Sequence, residues 1–332
     1  MNKEINIGKI IFSITAIAMA IFHLYTGYFG MLPPLLQRSY YFLFVFIVGF
    51  FLYPKNNKTT FYVKFLNFIL TILGLSALLY QIINHDVILR RPAMPTMLQI
   101  IWGTILILLI FELGRRTSGL VLPIITFLII LYTLFGHLLP IGFAHAGVDY
   151  DYLVYYLYNS YEGIFGVPIG VTAKYIYLFM LFGAFLIITG AADVVFQLSQ
   201  LLVGKAKDAP AKIAVIGSAF FGSVSGSATA NVMATGSITI PLMIKMGYSK
   251  DYAAAIESTA STGGVIMPPI MGSVAFIMAE FTGVPYLTIA FKAIIPALLY
   301  YTALFLMVHI QGVKLRLKGK LKDIDLFEGN NS

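Results

Sequence analysis

Gly222-Ser-Val-Ser-Gly-Ser-Ala-Thr-Ala-Asn231 is a run of small and hydroxyl-bearing residues set between two apolar stretches. A peptide group left unsatisfied in hydrocarbon costs several kcal/mol, so a break of this composition at membrane depth must be enclosed by protein and is expected to bind something. The flanking charges decide its topology. Lys205, Lys207 and Lys212 precede it, and Lys245 and Lys250 follow it. If both ends face one compartment, residues 211–247 cannot be a single span. They are predicted to form two half-helices that meet at a tip, a re-entrant hairpin with the Gly/Ser run at its turn.

The rest of the chain supplies the membrane setting. Its 332 residues are 59% hydrophobic and only 11% charged, with a mean hydropathy of +0.87, which excludes a soluble globular protein. Apolar runs at 10–30, 39–53, 61–83, 96–112, 118–139, 171–203 and 286–311 predict helices crossing a hydrocarbon core, for which about 20 residues suffice. The short runs at 39–53 and 96–112 need flanking residues or tilt to cross. The expected fold is an all-α polytopic membrane protein with about eight spans, one re-entrant hairpin and one broken helix.

Basic residues beside the spans read as topology and not as a nucleic-acid surface, despite a net charge of +8. Lys3, Lys9, Lys55, Lys58, Lys64, Arg115, Arg116, Lys205 and Lys207 then mark the cytoplasm, while the loop 140–170, with Asp149, Asp151 and Glu162, faces outside. Arg38, Arg90 and Arg91 run against this bias. Both termini are expected to be cytoplasmic. The aromatic run from Asp149 to Tyr158 reads as an interfacial helix, and Pro168–Val203 as one long span.

A division near Thr117 is expected. Residues 1–116 show ordinary breakers and read as a scaffold of four spans. In 117–332, Gly, Ser and Thr gather within apolar stretches and Pro241, Pro268 and Pro269 fall in mid-span. The stretch 251–281 carries Ser261-Thr-Gly-Gly-Val-Ile-Met-Pro-Pro269; two prolines that cannot donate backbone hydrogen bonds, following two glycines, predict a discontinuous helix. Residues 312–332 read as a basic solvated tail.

A broken helix presents free carbonyls and free N–H groups at one depth, the arrangement from which secondary transporters build midplane sites. Hydroxyls of Ser223, Ser225, Ser227 and Thr229 with converging carbonyls suit Na⁺ better than a soft metal. The half-helix starting near Ala230 aims its N-terminus at the tip, where a substrate carboxylate would be favoured. Asp193, Glu257 and Glu280 lie in or near spans; a structural ion pair or snorkelling group is the plainer reading of each, and a proton relay the alternative.

An enzyme is not expected. A nucleophile elbow needs Ser at the centre of Gly222–Gly226, and Val224 stands there. The five His residues form no metal-ligand spacing, and the absence of Cys removes disulfides and thiolate chemistry. The remaining competitor is a membrane scaffold in which Gly222 and Gly226, spaced as GxxxG, serve helix packing alone.

Residues 163–311 closely resemble the large membrane subunit of the tripartite ATP-independent periplasmic (TRAP) transporters, specifically the fused permeases of the TAXI subgroup. The motifs that carry the resemblance are Gly166-Val-Pro-Ile169, Phe182-Gly-Ala-Phe185, Phe221-Gly-Ser-Val-Ser-Gly-Ser-Ala-Thr-Ala-Asn-Val232, Thr239-Ile-Pro-Leu242, Ser258-Thr-Ala-Ser-Thr-Gly-Gly264, Ile266-Met-Pro-Pro-Ile-Met-Gly272 and Ala275-Phe-Ile-Met-Ala-Glu-Phe281. The four spans of 1–116 resemble a fused small permease subunit by position and hydropathy.

The resemblance implies an elevator-type importer of organic acids in a bacterial or archaeal inner membrane, driven by Na⁺ and served by an extracytoplasmic substrate-binding protein. It implies a hairpin tip of Ser223, Ser225, Gly226, Ser227, Thr229 and Asn231, and an unwound partner of Thr262, Gly263, Gly264, Ile266 and Pro268. Na⁺ is expected at Ser225, Ser227, Thr229 and Gly263, with no other cofactor. The family's large subunit has two inverted repeats, each with a hairpin; this sequence carries one, so the second half is expected from elsewhere. Hydroxyls and carbonyls favour Na⁺, while Glu257 leaves a proton route open; the substrate is not legible.

Overall fold

The computed structural model describes residues 7–52, 61–140, 142–203, 209–317 and 319. Among these, all regular structure is helical: α1 (Ile7–Phe29), α2 (Pro34–Leu52), α3 (Phe61–Ile83), α4 (His85–Arg90), α5 (Met97–Ser118), α6 (Val121–Phe135), α7 (Tyr150–Val154), α8 (Val167–Val171), α9 (Tyr177–Ile188), α10 (Ala191–Val203), α11 (Ala209–Ser225), α12 (Ala228–Lys245), α13 (Lys250–Gly263), α14 (Ser273–Thr282) and α15 (Tyr286–Leu317). Six helical stretches among the described residues are long and apolar enough to cross a membrane, and α2, α11 and α14 add shorter apolar helices. Of the short apolar runs, α5 extends to Ser118 and is among the six, while α2, beginning at Pro34, stays among the shorter helices. Lys3, Lys55, Lys58, Lys205, Lys207, Lys318, Lys320 and Lys322 lie outside the described residues, as do the side chains of Lys9 and Asp193.

By packing, the chain divides into two compact units, Met1–Lys174 and Tyr175–Ser332. The division near Thr117 is one of composition, and packing draws its own line elsewhere.

The first unit is built on an aromatic stripe. Phe42, Phe46 and Phe50 recur every four residues along one face of α2 and bury against Leu78, Leu106, Val154, Tyr158 and Phe165. Two glycines make room for this packing. A Cβ at Gly74 would lie 2.5 Å from the Phe46 ring, and one at Gly103 would lie 2.5 Å from Val154. Thr96 and Gln99 close a reciprocal capping box at the start of α5. At its far end Glu112 binds Arg115 and Arg116, and Arg116 reaches across to Asn67 at 2.8 Å.

One expectation is refined here. The run 149–158 is not simply an interfacial helix. Tyr150, Tyr152 and Tyr156 are exposed, but Leu153, Val154 and Tyr158 are buried, and the Tyr158 hydroxyl donates to the Ala77 carbonyl at 2.5 Å. Packing against α5 thus claims one face of it. Arg38, which runs against the charge bias, is held by local structure, since its guanidinium donates to the Phe165 carbonyl and lies over the Tyr161 ring.

The second unit contains the expected hairpin and the expected break. α11 and α12 are its arms, and Ala211, Val215 and Met243 from them share a core with Ala253 and Ile256 of α13 and Tyr301, Leu304 and Val308 of α15. The long span expected over Pro168–Val203 is corrected. It is interrupted between α9 and α10 at Gly190, whose φ of +85° lies in the left-handed region that a single glycine permits at low cost. The basic tail begins later than position 312, because α15 continues through Lys314 and Arg316 to Leu317.

Candidate functional site

The turn between α11 and α12 is made by Gly226 and Ser227. Gly226 adopts φ +60° and ends α11; Ser227 is extended and caps α12, its hydroxyl accepting from the Ala230 N–H at 3.3 Å. The Ser227 and Thr229 hydroxyls lie 3.2 Å apart, and the Ser225 hydroxyl is 3.5 Å from the Ser227 N–H. Three of the expected ligand side chains therefore converge over the N-terminus of α12. An α-helix leaves its last four carbonyls without intrahelical partners. At the end of α11, Gly222 O accepts from Gly226 N–H and Ser223 O from Ile270 N–H, while Val224 O and Ser225 O meet no donor among the described residues.

The break after α13 packs directly on this tip. Gly222 and Gly264 approach so closely that a Cβ on the first would lie 2.5 Å from the Cα of the second. A Cβ on Gly226 would collide with the Met271 carbonyl oxygen. From Ser261 to Gly264 the carbonyls accept N–H groups three residues ahead, at 3.1 to 3.2 Å, so the chain tightens as it leaves α13. Each such carbonyl retains a second lone pair. The Tyr286 hydroxyl, at the start of α15, bridges to the carbonyls of Pro269 and Ile270 and fixes the far side of the break.

The structure sorts the expected residues into groups. Ser225, Ser227 and Thr229 gather at the tip, with Gly226 as their hinge; Ser223 turns its hydroxyl to the Phe220 carbonyl and contributes its own carbonyl to the contact with Ile270. Gly264 serves the close backbone approach. Gly263 is buried beneath the Tyr300 ring, where a Cβ would sit 2.5 Å from a ring carbon. Thr262 and Ile266 are exposed, and Pro268 is half-buried. Asn231 points away from the tip, into the hairpin, where its amide donates to the Ser218 carbonyl at 2.8 Å.

That inward side holds a cluster around Glu257 that its sequence neighbours do not reveal. Glu257 of α13 is fully buried and is reached by the hydroxyls of Ser218 at 3.0 Å, Thr239 at 2.5 Å and Ser261 at 3.2 Å, and by that of Thr235. No basic side chain pairs with it among the described residues. The expectation of an ion pair or snorkelling group for Glu257 is thus corrected, since it reaches neither a cation nor an interface. The missed signal is helical spacing: Asn231, Thr235 and Thr239 repeat every four residues on α12, as do Glu257 and Ser261 on α13, and each stripe faces the other.

Comparison with known proteins identifies the class. The family model described as "Tripartite ATP-independent periplasmic transporter, DctM component" matches residues 105–325, more than half of the chain. The chain belongs to this family and is a multi-pass membrane protein of the TRAP permease type. It is similar to the C4-dicarboxylate TRAP transporter large permease protein DctM of Pseudomonas aeruginosa, at 34% identity over 40% of this chain and 30% of that protein. It is similar also to the isethionate TRAP transporter permease protein DctMQ of Oleidesulfovibrio alaskensis, at 29% identity over 55% of this chain and 27% of that protein. The ectoine TRAP transporter large permease protein TeaC of Halomonas elongata is 30% identical over 30% of this chain and 23% of its own length. The chain therefore spans about a quarter to a third of these curated relatives. No solved structure matches it.

Proposed function

We propose that this chain is the permease component of a TRAP-type secondary transporter that imports organic acids, with Na⁺ bound at the hairpin tip as the coupling ion. The observation that supports this reading most is the docking of the tip on the helix break. Hydroxyls of Ser225, Ser227 and Thr229 gather at the tip, the Val224 and Ser225 carbonyls at the end of α11 have no donor among the described residues, and hard oxygen ligands of this kind suit Na⁺. The N-terminus of α12 faces the same point and favours a carboxylate there. The C4-dicarboxylate, isethionate and ectoine named for the relatives make small organic acids and zwitterions the substrate class to test.

Further parts of the proposal go beyond the family itself. These are membership of the TAXI subgroup, a fused small subunit in the first four spans, an extracytoplasmic binding protein that delivers substrate, and a second repeat that completes the substrate site by an elevator movement. Cytoplasmic termini in an inner membrane belong with them. A scaffold role accounts for Gly222, which does pack closely, and for Ser227, which caps α12, but gives no reason for the Ser225 and Thr229 hydroxyls to gather beside that cap.

Uptake tests the proposal. In cells expressing the complete system, a Na⁺ gradient should drive accumulation of a labelled C4-dicarboxylate or sulfonate, and the double variant Ser225→Ala, Ser227→Ala should lower it at least tenfold. Uptake of equal rate in the double variant would overturn the site.

A further inference from the structure

A carboxylate buried without a counter-charge is costly unless hydrogen bonds or protonation relieve it. Glu257 is fully buried, and its partners are hydroxyls from three helices: Ser218 of α11, Thr235 and Thr239 of α12, and Ser261 of α13. Hydroxyls differ from ammonium or guanidinium partners in one respect. Each can donate or accept by turning about its C–O bond, so a hydroxyl cage can satisfy a carboxylate and a carboxylic acid alike.

The distances provide both settings. When Glu257 is ionised, Thr239 donates its proton to Oε2 at 2.5 Å. When Oε2 carries a proton, that O–H donates to the Thr239 Oγ1, and the Thr239 hydroxyl proton turns to the Thr235 carbonyl at 3.0 Å. Oε1 keeps Ser218 and Ser261 in either state. Thr235 likewise has an alternative acceptor, the Asn231 carbonyl at 2.9 Å. No bond has to be abandoned without a replacement.

The surroundings hold no fixed cation, among the described residues, to lock the ionised form. On α15 the titratable neighbour is Tyr301, which is in electrostatic contact with Glu257 and commits its hydroxyl to the Ala260 carbonyl at 2.8 Å. On α11, Lys212 lies near the start of the helix with its ammonium over the Phe305 ring. On α12, Lys245 is in the last turn, and on α13, Lys250 and Asp251 are in the first.

We propose that Glu257 and its hydroxyl cage form a proton-binding site between the hairpin arms and α13, separate from the tip. The proton arrives from water when the arms part, adds to Oε2 and neutralises the carboxylate, and returns to water by the same route. Protonation replaces a charge-assisted bond between α12 and α13 with a neutral one, so proton occupancy sets how firmly the hairpin grips the broken helix.

The test uses the full chain in lipid nanodiscs and infrared difference spectra between acidic and alkaline buffer, with no transport required. Acidification protonates other carboxyls of the chain as well, so the Glu257 band is the component of the protonated-carboxyl signal that is missing from Glu257→Gln; it should appear on acidification and be the same in Na⁺ and K⁺. Ser261→Ala keeps the carboxyl and removes one donor to the charged form, so it should tighten proton binding by about tenfold, read as a shift of the midpoint. Identical difference spectra for the wild type and Glu257→Gln, or an unmoved midpoint in Ser261→Ala, would overturn the proposal. A band suppressed by Na⁺ and not by K⁺ would overturn it in favour of a cation site.

Discussion

Gly222 on α11 and Gly264 beyond the end of α13 meet backbone to backbone, each leaving no space for a methyl group on the other: Cβ atoms built on them would lie 2.5 and 2.6 Å from the opposing Cα. Atoms of the main chain cannot swing aside as a flexible side chain can. Gly222→Ala or Gly264→Ala should therefore cost about 1–3 kcal/mol, the usual penalty of overpacking a buried site. Thermal unfolding of the purified chain measures it. Gly114→Ala is the control: its Cβ would meet Pro123 at an ordinary 3.6 Å, so stability should hold or rise slightly.

Gly226 carries two constraints at once. Its φ of +60° disfavours any side chain, and a Cβ would collide with the Met271 carbonyl oxygen. Left-handed strain alone costs an L-residue about 1–2 kcal/mol, so Gly226→Ala should be more damaging than Gly222→Ala. Side-by-side melting curves decide the order, and a Gly226→Ala variant as stable as the wild type would contradict the turn described above.

In the first unit, Tyr158→Phe removes the hydroxyl that donates to Ala77 O while keeping the ring in its buried place. A loss of about 0.5–1.5 kcal/mol is expected, the net worth of one buried hydrogen bond. Denaturant or thermal unfolding reads this too, with Tyr156→Phe, at an exposed position, expected to be silent.

The chain has no cysteine, so Ala228→Cys introduces a single thiol at a half-buried position of the tip and leaves the three hydroxyls in place. If an ion sits among Ser225, Ser227 and Thr229, Na⁺ should slow maleimide labelling of that thiol severalfold, and K⁺ should not. Equal rates in the two salts would argue against occupancy of the tip.

The hairpin was legible because two unrelated signals coincided: lysines at both ends of 211–247, and a Gly/Ser run between them that no lipid-exposed helix would tolerate. The broken helix was equally plain from Gly263-Gly264 and Pro268-Pro269, residues whose backbone limits act locally. Gly190 was not, since one glycine in a long apolar run is compatible with an unbroken helix. Gly263 lies under Tyr300, a contact across 37 positions that no local pattern encodes. The surroundings of Glu257 were not legible, because its four hydroxyl partners come from α11, α12 and α13 and only packing assembles them.

The central claim is that the tip binds Na⁺, and ligand-dependent stability tests it most directly. A ligand that binds only the folded state stabilises it by RT ln(1 + [L]/Kd), about 2.7 kcal/mol at a hundredfold excess over Kd. The purified chain in nanodiscs should melt several degrees higher in NaCl than in KCl at equal ionic strength, and the Ser225→Ala, Ser227→Ala variant should lose that difference. Identical melting in the two salts, or a Na⁺ effect that survives in the double variant, would contradict the account.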